Sequence, residues 1–139
     1  MCTAIKAQPH QRKDSSQPVV PRAQTPYLLL DKVPDVRLTG HPTERLPNNA
    51  SLAFKGMDGE SIMLALDLEG ICVSTGSACT TGETEPSFVL KAMGLPDEWA
   101  IGSVRMTLGH ATSEADIEHV LGVLPGVIEQ LRANRRPVV

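Results

Sequence analysis

One thiol and one guanidinium carry the sequence's chemistry. Cys79 lies midway along the stretch 74–85, Ser-Thr-Gly-Ser-Ala-Cys-Thr-Thr-Gly-Glu-Thr-Glu. Small and polar residues offer little apolar surface to pin such a segment, so the composition predicts a mobile, solvated loop. From Ser74, five residues of extended chain reach at most ~17 Å. A thiol on that tether can meet one partner and carry something to another. It equally reads as an incidental surface cysteine. Arg105 falls on the polar side of residues 103–108, whose other side holds Val104, Met106 and Leu108. A guanidinium on a rigid strand takes a carboxylate in a two-bond fork. A surface salt bridge is the alternative reading.

The other reactive types read as structural. Cys72, between Ile71 and Val73, predicts a small buried thiol. Cys2 is a bystander in the N-terminal segment. His41, His110 and His119 are scattered, and no HxH, CxxC or HExxH spacing occurs, so no dedicated metal site is expected. No phosphate-cradling G-x-G-x-x-G or P-loop pattern is present either.

Composition bounds the remaining classes. The 139 residues predict one domain, with 41% hydrophobic and 21% charged residues in an ordinary globular balance. A net charge of −3 gives no pull toward nucleic acid or an anionic membrane. Aromatics at 3% argue against a base-stacking platform. No apolar run approaches the ~20 residues of a membrane span. Three cysteines form no disulfide framework, which predicts a reducing, cytoplasmic setting.

The elements that must position these groups follow from the pattern. Residues 1–25 are polar and rich in Pro, Gln and Ser, and read as a disordered tail or linker. Their four basic residues against one acid look weakly like a transit peptide, without its amphipathic helix. Residues 27–30 read as the last turn of a helix, and Val36-Arg37-Leu38 and Ser51-Leu52-Ala53-Phe54 as short strands. Asp58-Gly59-Glu60 opens a helix that Gly70 closes. Ile71-Cys72-Val73 reads as a buried strand. Pro86 suits the first position of a helix whose apolar face is Phe88, Val89, Ala92 and Met93. Residues 103–108 form the strongest strand. Ser113-x-x-Asp116 resembles a capping box before a long helix that Pro125 should bend. Strands backed by helices on one face predict an α/β chain, an α+β two-layer sandwich.

These residues resemble a known family. Ser74-Thr75-Gly76-Ser77-Ala78-Cys79-Thr80-Thr81 with Glu85-Pro86-Ser87-Phe88-Val89-Leu90 is similar to the cysteine-loop signature of cysteine desulfurases. These are pyridoxal-phosphate enzymes of the class V aminotransferase group. Pro34-Asp35-Val36-Arg37-Leu38-Thr39-Gly40-His41-Pro42, Leu46-Pro47-Asn48-Asn49, Gly59-Glu60-Ser61 and Gly102-Ser103-Val104-Arg105-Met106-Thr107-Leu108-Gly109 look like the same family's small domain. The resemblance spans residues 26–134, and the loop wording points to the iron–sulfur-assembly group. It implies the small C-terminal domain of a fold-type I transferase over residues 26–139.

The resemblance also implies roles. Cys79 is the nucleophile that takes sulfur from L-cysteine as a persulfide, releasing alanine. It passes the sulfur to an iron–sulfur scaffold, sharing a cluster transiently as a ligand. Arg105 binds the substrate carboxylate. The family's cofactor lysine, in a Ser-x-His-Lys context, has no counterpart among Lys6, Lys13, Lys32, Lys55 and Lys91. Without that electron sink the carbon–sulfur bond stays intact. The expectation is therefore a chain inactive alone: a gene fragment, a truncated reading frame, or one half of a split enzyme whose cofactor-bearing large domain is a separate chain. The alternatives are a persulfide carrier that docks on a scaffold, or a remnant. Surface normally covered by the large domain predicts self-association. Phe88 stands where His or Tyr is usual, and His110 where Arg is common.

Overall fold

The computed structural model describes residues 25–76 and 86–134. Along them run α1 (Thr25–Lys32), β1 (Val36–Leu38), β2 (Asn49–Phe54), α2 (Gly59–Leu68), β3 (Ser74–Thr75), α3 (Phe88–Ala92), α4 (Asp97–Ala100), β4 (Ser103–Thr107) and α5 (Glu114–Ala133). The strands form one antiparallel sheet in the order β1-β2-β4-β3.

Alternation along the two central strands sorts their side chains between faces. Ala50, Leu52 and Phe54 of β2 and Val104 and Met106 of β4 point to one side. There they meet Leu29 and Val33 from α1 and its exit, Ile62 and Leu66 of α2, and Leu124, Val127 and Ile128 of α5. Phe54, Leu52, Ile62, Leu66, Leu124 and Val104 are fully enclosed. At roughly 1.5–3 kcal/mol per enclosed large apolar side chain, this layer dominates the stability.

The helix ends are set by local chemistry. Asp58 caps α2 by accepting from the backbone N–H groups of Glu60 and Ser61. Gly70, at φ +77°, ends the α2 region in a left-handed conformation that costs glycine little. Ser113 and Asp116 form the expected reciprocal capping box of α5. The N–H of Ser113 donates to the Asp116 carboxylate at 2.7 Å. That bond, the Ser113 hydroxyl and the nearby His119 together hold Asp116 below the usual carboxylate range. α5 runs unbroken through Pro125. Proline has no N–H for the carbonyl four residues earlier. Lys32 reaches that Leu121 carbonyl from α1 at 3.5 Å.

Four expectations need correction. The segment 71–73 is not a strand. Pairing with β4 instead begins at Ser74, so the expected loop 74–85 starts two residues late. Cys72 is exposed, because Ile71 takes the buried position and the chain turns the thiol outward. Pro86 precedes α3, since Ser87 is its extended N-cap. Finally, α3 buries Leu90, whereas Phe88 is 83% exposed and Val89 and Met93 about half. A five-residue helix has room for one inward position only. It was the wrong face that the spacing suggested.

A second, smaller layer lies on the other side of the sheet. Ala53 and Ser103 point away from the main core yet are buried. Trp99 and Ala100 of α4 and Leu90 of α3 are buried as well. Arg37 stacks on the Trp99 ring at 4.1 Å, a cation–π contact that holds β1 to α4. The long helices therefore cover one face, and two short helices cover one end of the other.

Candidate functional site

The uncovered part of that second face is polar. Register places Ser51 of β2 and Ser74 of β3 directly opposite Arg105 of β4. Thr39 continues the row, its N–H donating to the Ser51 carbonyl at 2.9 Å. Phe54 N–H donates to the Gly102 carbonyl and Leu108 N–H to the Asn48 carbonyl, so Ser51 and Arg105, midway between, form a non-hydrogen-bonded pair. Such pairs bring their Cα atoms to ~4.5 Å and their side chains close together. Thr39 and Ser51 join hydroxyls at 2.6 Å. Arg105 thus projects from a row of hydroxyls: Thr39, Ser51 and Ser74.

Its chemistry is set by what it does not touch. Lys32 binds the Leu121 carbonyl, Arg37 covers Trp99, and Lys55 and Lys91 pair with Glu98 and Asp97. Arg45 holds the carbonyls of Thr39 and Asn49, and Arg132 that of Pro34. Arg105 alone among the described Lys and Arg residues makes no ion pair, side-chain hydrogen bond or cation–π contact with a described residue. It is exposed on a central strand, its five donors uncommitted among the described residues. An anion with planar oxygens fits that fork.

β3 also leads to the thiol. Gly76 N–H donates to the Ser103 carbonyl at 3.2 Å, so the chain leaves the sheet beside β4. A Cβ on Gly76 would lie 2.1 Å from the Ser103 Oγ and 3.3 Å from its Cβ, which explains glycine there. Cys79 comes three residues later, at most ~11 Å of extended chain from Gly76. Cys79 and residues 77–85, like Cys2, lie outside the described residues. The structure therefore brings Arg105 together with the start of the Cys79 segment, and no further.

Two exposed histidines, His41 and His119, bond to backbone. His41 Nδ1 accepts from the N–H groups of Thr43 and Glu44 at 3.2 and 2.8 Å. His119 Nε2 lies 3.1 Å from the Glu69 carbonyl. Among the described residues no three His, Cys, Asp or Glu side chains gather as a metal site. No described helix is long and apolar enough to cross a membrane. Sequence reasoning missed the hydroxyl row and Trp99. Strand pairing creates the first, and a four-residue helix has no period to reveal the second.

The family profile of the class V aminotransferases matches residues 17–120. The chain belongs to that family. Over 105 residues this class V domain is 50% identical to a cysteine desulfurase of Trichormus azollae, covering 76% of the chain and 26% of the relative. A cysteine desulfurase IscS of Methanosarcina thermophila is 46% identical over 107 residues, covering 77% and 26%. The X-ray structure of a NifS-like protein from Rickettsia africae ESF-5 superposes with a TM-score of 0.63 at 27% identity, over 79% of the chain and 29% of that protein. The chain spans about a quarter of the length of the curated relatives it matches.

Family membership implies pyridoxal phosphate, and the described residues can be tested for it. The described lysines, Lys32, Lys55 and Lys91, are all exposed and engaged at the surface, away from Arg105's row. A phosphate would favour a helix N-terminus. At α2 and α5 those positions already hold the carboxylates of Asp58 and Asp116. The described part of this class V domain does not fit pyridoxal phosphate.

Proposed function

We propose that this domain is the sulfur-accepting small domain of a cysteine desulfurase. Arg105 anchors the carboxylate of L-cysteine. Cys79 takes the sulfur as a persulfide, and alanine is released. Cys79 then hands the sulfur to an iron–sulfur scaffold. The observation that carries this reading is the uncommitted guanidinium of Arg105, on the strand from whose neighbour the Cys79 segment departs. Cleaving the carbon–sulfur bond needs an electron sink. The described residues do not hold one, so the reading assigns it to a cofactor-bearing domain outside them and expects no turnover from these 139 residues alone.

Purified chain with L-cysteine, pyridoxal phosphate and a thiol reductant tests that expectation. Sulfide release should equal that of Cys79→Ala, which sets the blank. Release above the blank overturns the dependence on a further cofactor-bearing domain. Intact-mass analysis after adding a complete cysteine desulfurase and L-cysteine tests the thiol. One sulfur should be gained, and lost again in Cys79→Ala. A plain thiol at Cys79 refutes its role.

The same misfit with the cofactor favours a second reading, a persulfide carrier without turnover of its own. Alanine formed by this chain together with a cofactor-bearing large domain separates the split enzyme from the carrier. Exposed Phe88, Val89 and Met93 support self-association as well. A monomer by light scattering refutes it.

A further inference from the structure

On the helical side of the domain, α2 and α5 as far as residue 131 are charged one way, the cations on that side being Lys32 of α1 and Arg132 at the end of α5. Residues 56–76 and 107–131 carry eight Asp or Glu and no Lys or Arg. They build α2 and nearly all of α5. Outward from the sheet, α2 presents Leu64 and Leu68 one turn apart, 57% and 88% exposed. Glu60 and Asp67 flank them and are exposed too. The last turn of α2 has no basic residue. Its terminal carbonyls add the negative end of the helix dipole beside Leu68. An apolar ridge in a negative field fits a partner that is both apolar and basic.

This chain carries such a partner. Six of its thirteen Lys and Arg, but one of its sixteen acids, lie in the terminal segments 1–24 and 135–139. Segment 1–24 holds Lys6, Arg12, Lys13 and Arg22, with Ile5, Val19 and Val20 between them. Composition chooses between the two segments: 1–24 spaces four cations among apolar residues, whereas Arg135 and Arg136 stand side by side before Pro137. The end of α2 meets α5 at His119, whose Nε2 is 3.1 Å from the Glu69 carbonyl. The N-terminal segment enters through α1, which lies along the opposite side of α5, where Lys32 reaches Leu121. From α1 across α5 to α2 is two helix spacings, ~20 Å. Twenty-four residues span up to ~80 Å.

We propose that residues 1–24 dock in cis on the Leu64–Leu68 ridge of α2, drawn by the acidic surface of α2 and the first half of α5. The contact is electrostatic at its rim and apolar at its centre. It covers the ridge that the sheet leaves unpartnered. It loosens as salt shortens the screening length from ~30 Å at 0.01 M to ~3 Å at 1 M.

A nitroxide on Cys2 reads the contact directly. The full chain carries Cys72→Ser and Cys79→Ser so that one thiol is labelled, and isotope labelling reports the backbone amides. At low salt the amides of α2 around Leu64 and Leu68 should lose most of their intensity, and recover it in 1 M salt. Leu68→Lys, at an exposed site that suits a cation, should abolish the loss without altering the fold. Lys6→Glu, Arg12→Glu, Lys13→Glu and Arg22→Glu together should do the same. A second sample mixes spin-labelled chain without isotope and isotope-labelled chain without spin label. Intensity loss there of equal size assigns the segment to a second copy and overturns docking in cis. Unperturbed α2 amides at low salt, or a loss that salt and both substitutions leave intact, also overturn it.

Discussion

Gly102 gives the sharpest test of the sheet that carries Arg105. Built as alanine, its Cβ would lie 2.1 Å from the carbonyl oxygen of Phe54 and 3.1 Å from that of Met57. Both obstacles are backbone, so no rotamer relieves them. The strands must part by about 1 Å to restore an ordinary contact. Two bonds depend on their present spacing, Phe54 N–H to Gly102 at 3.0 Å and Met57 N–H to Phe54 at 3.3 Å. Losing both costs about 1–3 kcal/mol. Crowding at a packed site adds about 1–3 kcal/mol. Gly102→Ala should therefore destabilise the chain by about 2–6 kcal/mol, a large share of a domain's ~5–15 kcal/mol. Urea unfolding followed by fluorescence is suited to this. Trp99 is the single tryptophan and sits buried in α4 against the same corner. Gly122→Ala is the matched control. Nothing lies within 4 Å of its new methyl group. It should stabilise by ~0.5–1 kcal/mol as a helix-interior glycine. A Gly102→Ala chain within ~0.5 kcal/mol of the parent, the range of a bland surface change, would refute the register of β2 on β4.

Other outcomes follow from single contacts. Ser113→Ala should cost about 1 kcal/mol through the lost cap, seen as a lower melting temperature. Asp116 has a depressed native pKa, so its contribution is complete above the unfolded value near 3.8 and fades as pH falls through the lower folded one. The stability gap between the parent and Asp116→Asn should be flat from neutral pH to about 5 and shrink below 4; a gap that widens on acidification contradicts the capping box. Pro125→Ala should stabilise by restoring an N–H to the Leu121 carbonyl, and should make Lys32→Met silent. Double-mutant unfolding in which the two changes simply add removes Lys32 from that role. Phe88→Ser should leave stability within ~0.5 kcal/mol, whereas Leu90→Ala should cost about 2–3 kcal/mol. The reverse order in urea unfolding would restore the apolar face that spacing alone suggested.

Much of the fold is written in local pattern. The Ser113–Asp116 cap, the Asp58 start of α2 and the alternation of β4 each involve neighbours within a few residues, which is the range that propensity and side-chain periodicity control. The errors cluster where the period had too few repeats. α3 has five residues and α4 four, so neither shows which side will be buried. Cys72 is the clearest case. Its apolar neighbours predict burial, but pairing with β4 starts only at Ser74.

The sequence by itself determined the domain's class, its family through ordered motifs, and the identity of Cys79 and Arg105 as the groups worth testing. Those are properties of residue type and order. Only the tertiary structure decided that six of the described cations are engaged by described residues and Arg105 is not. It alone set Ser51 and Ser74 beside that guanidinium, and left Leu64 and Leu68 outside the core. Each of these depends on which strands pair, in what register, and which helix face finds a neighbour. A pairing between β2 and β4 joins residues some fifty positions apart. No local pattern reaches that far, and packing is what selects among the partners that local pattern allows.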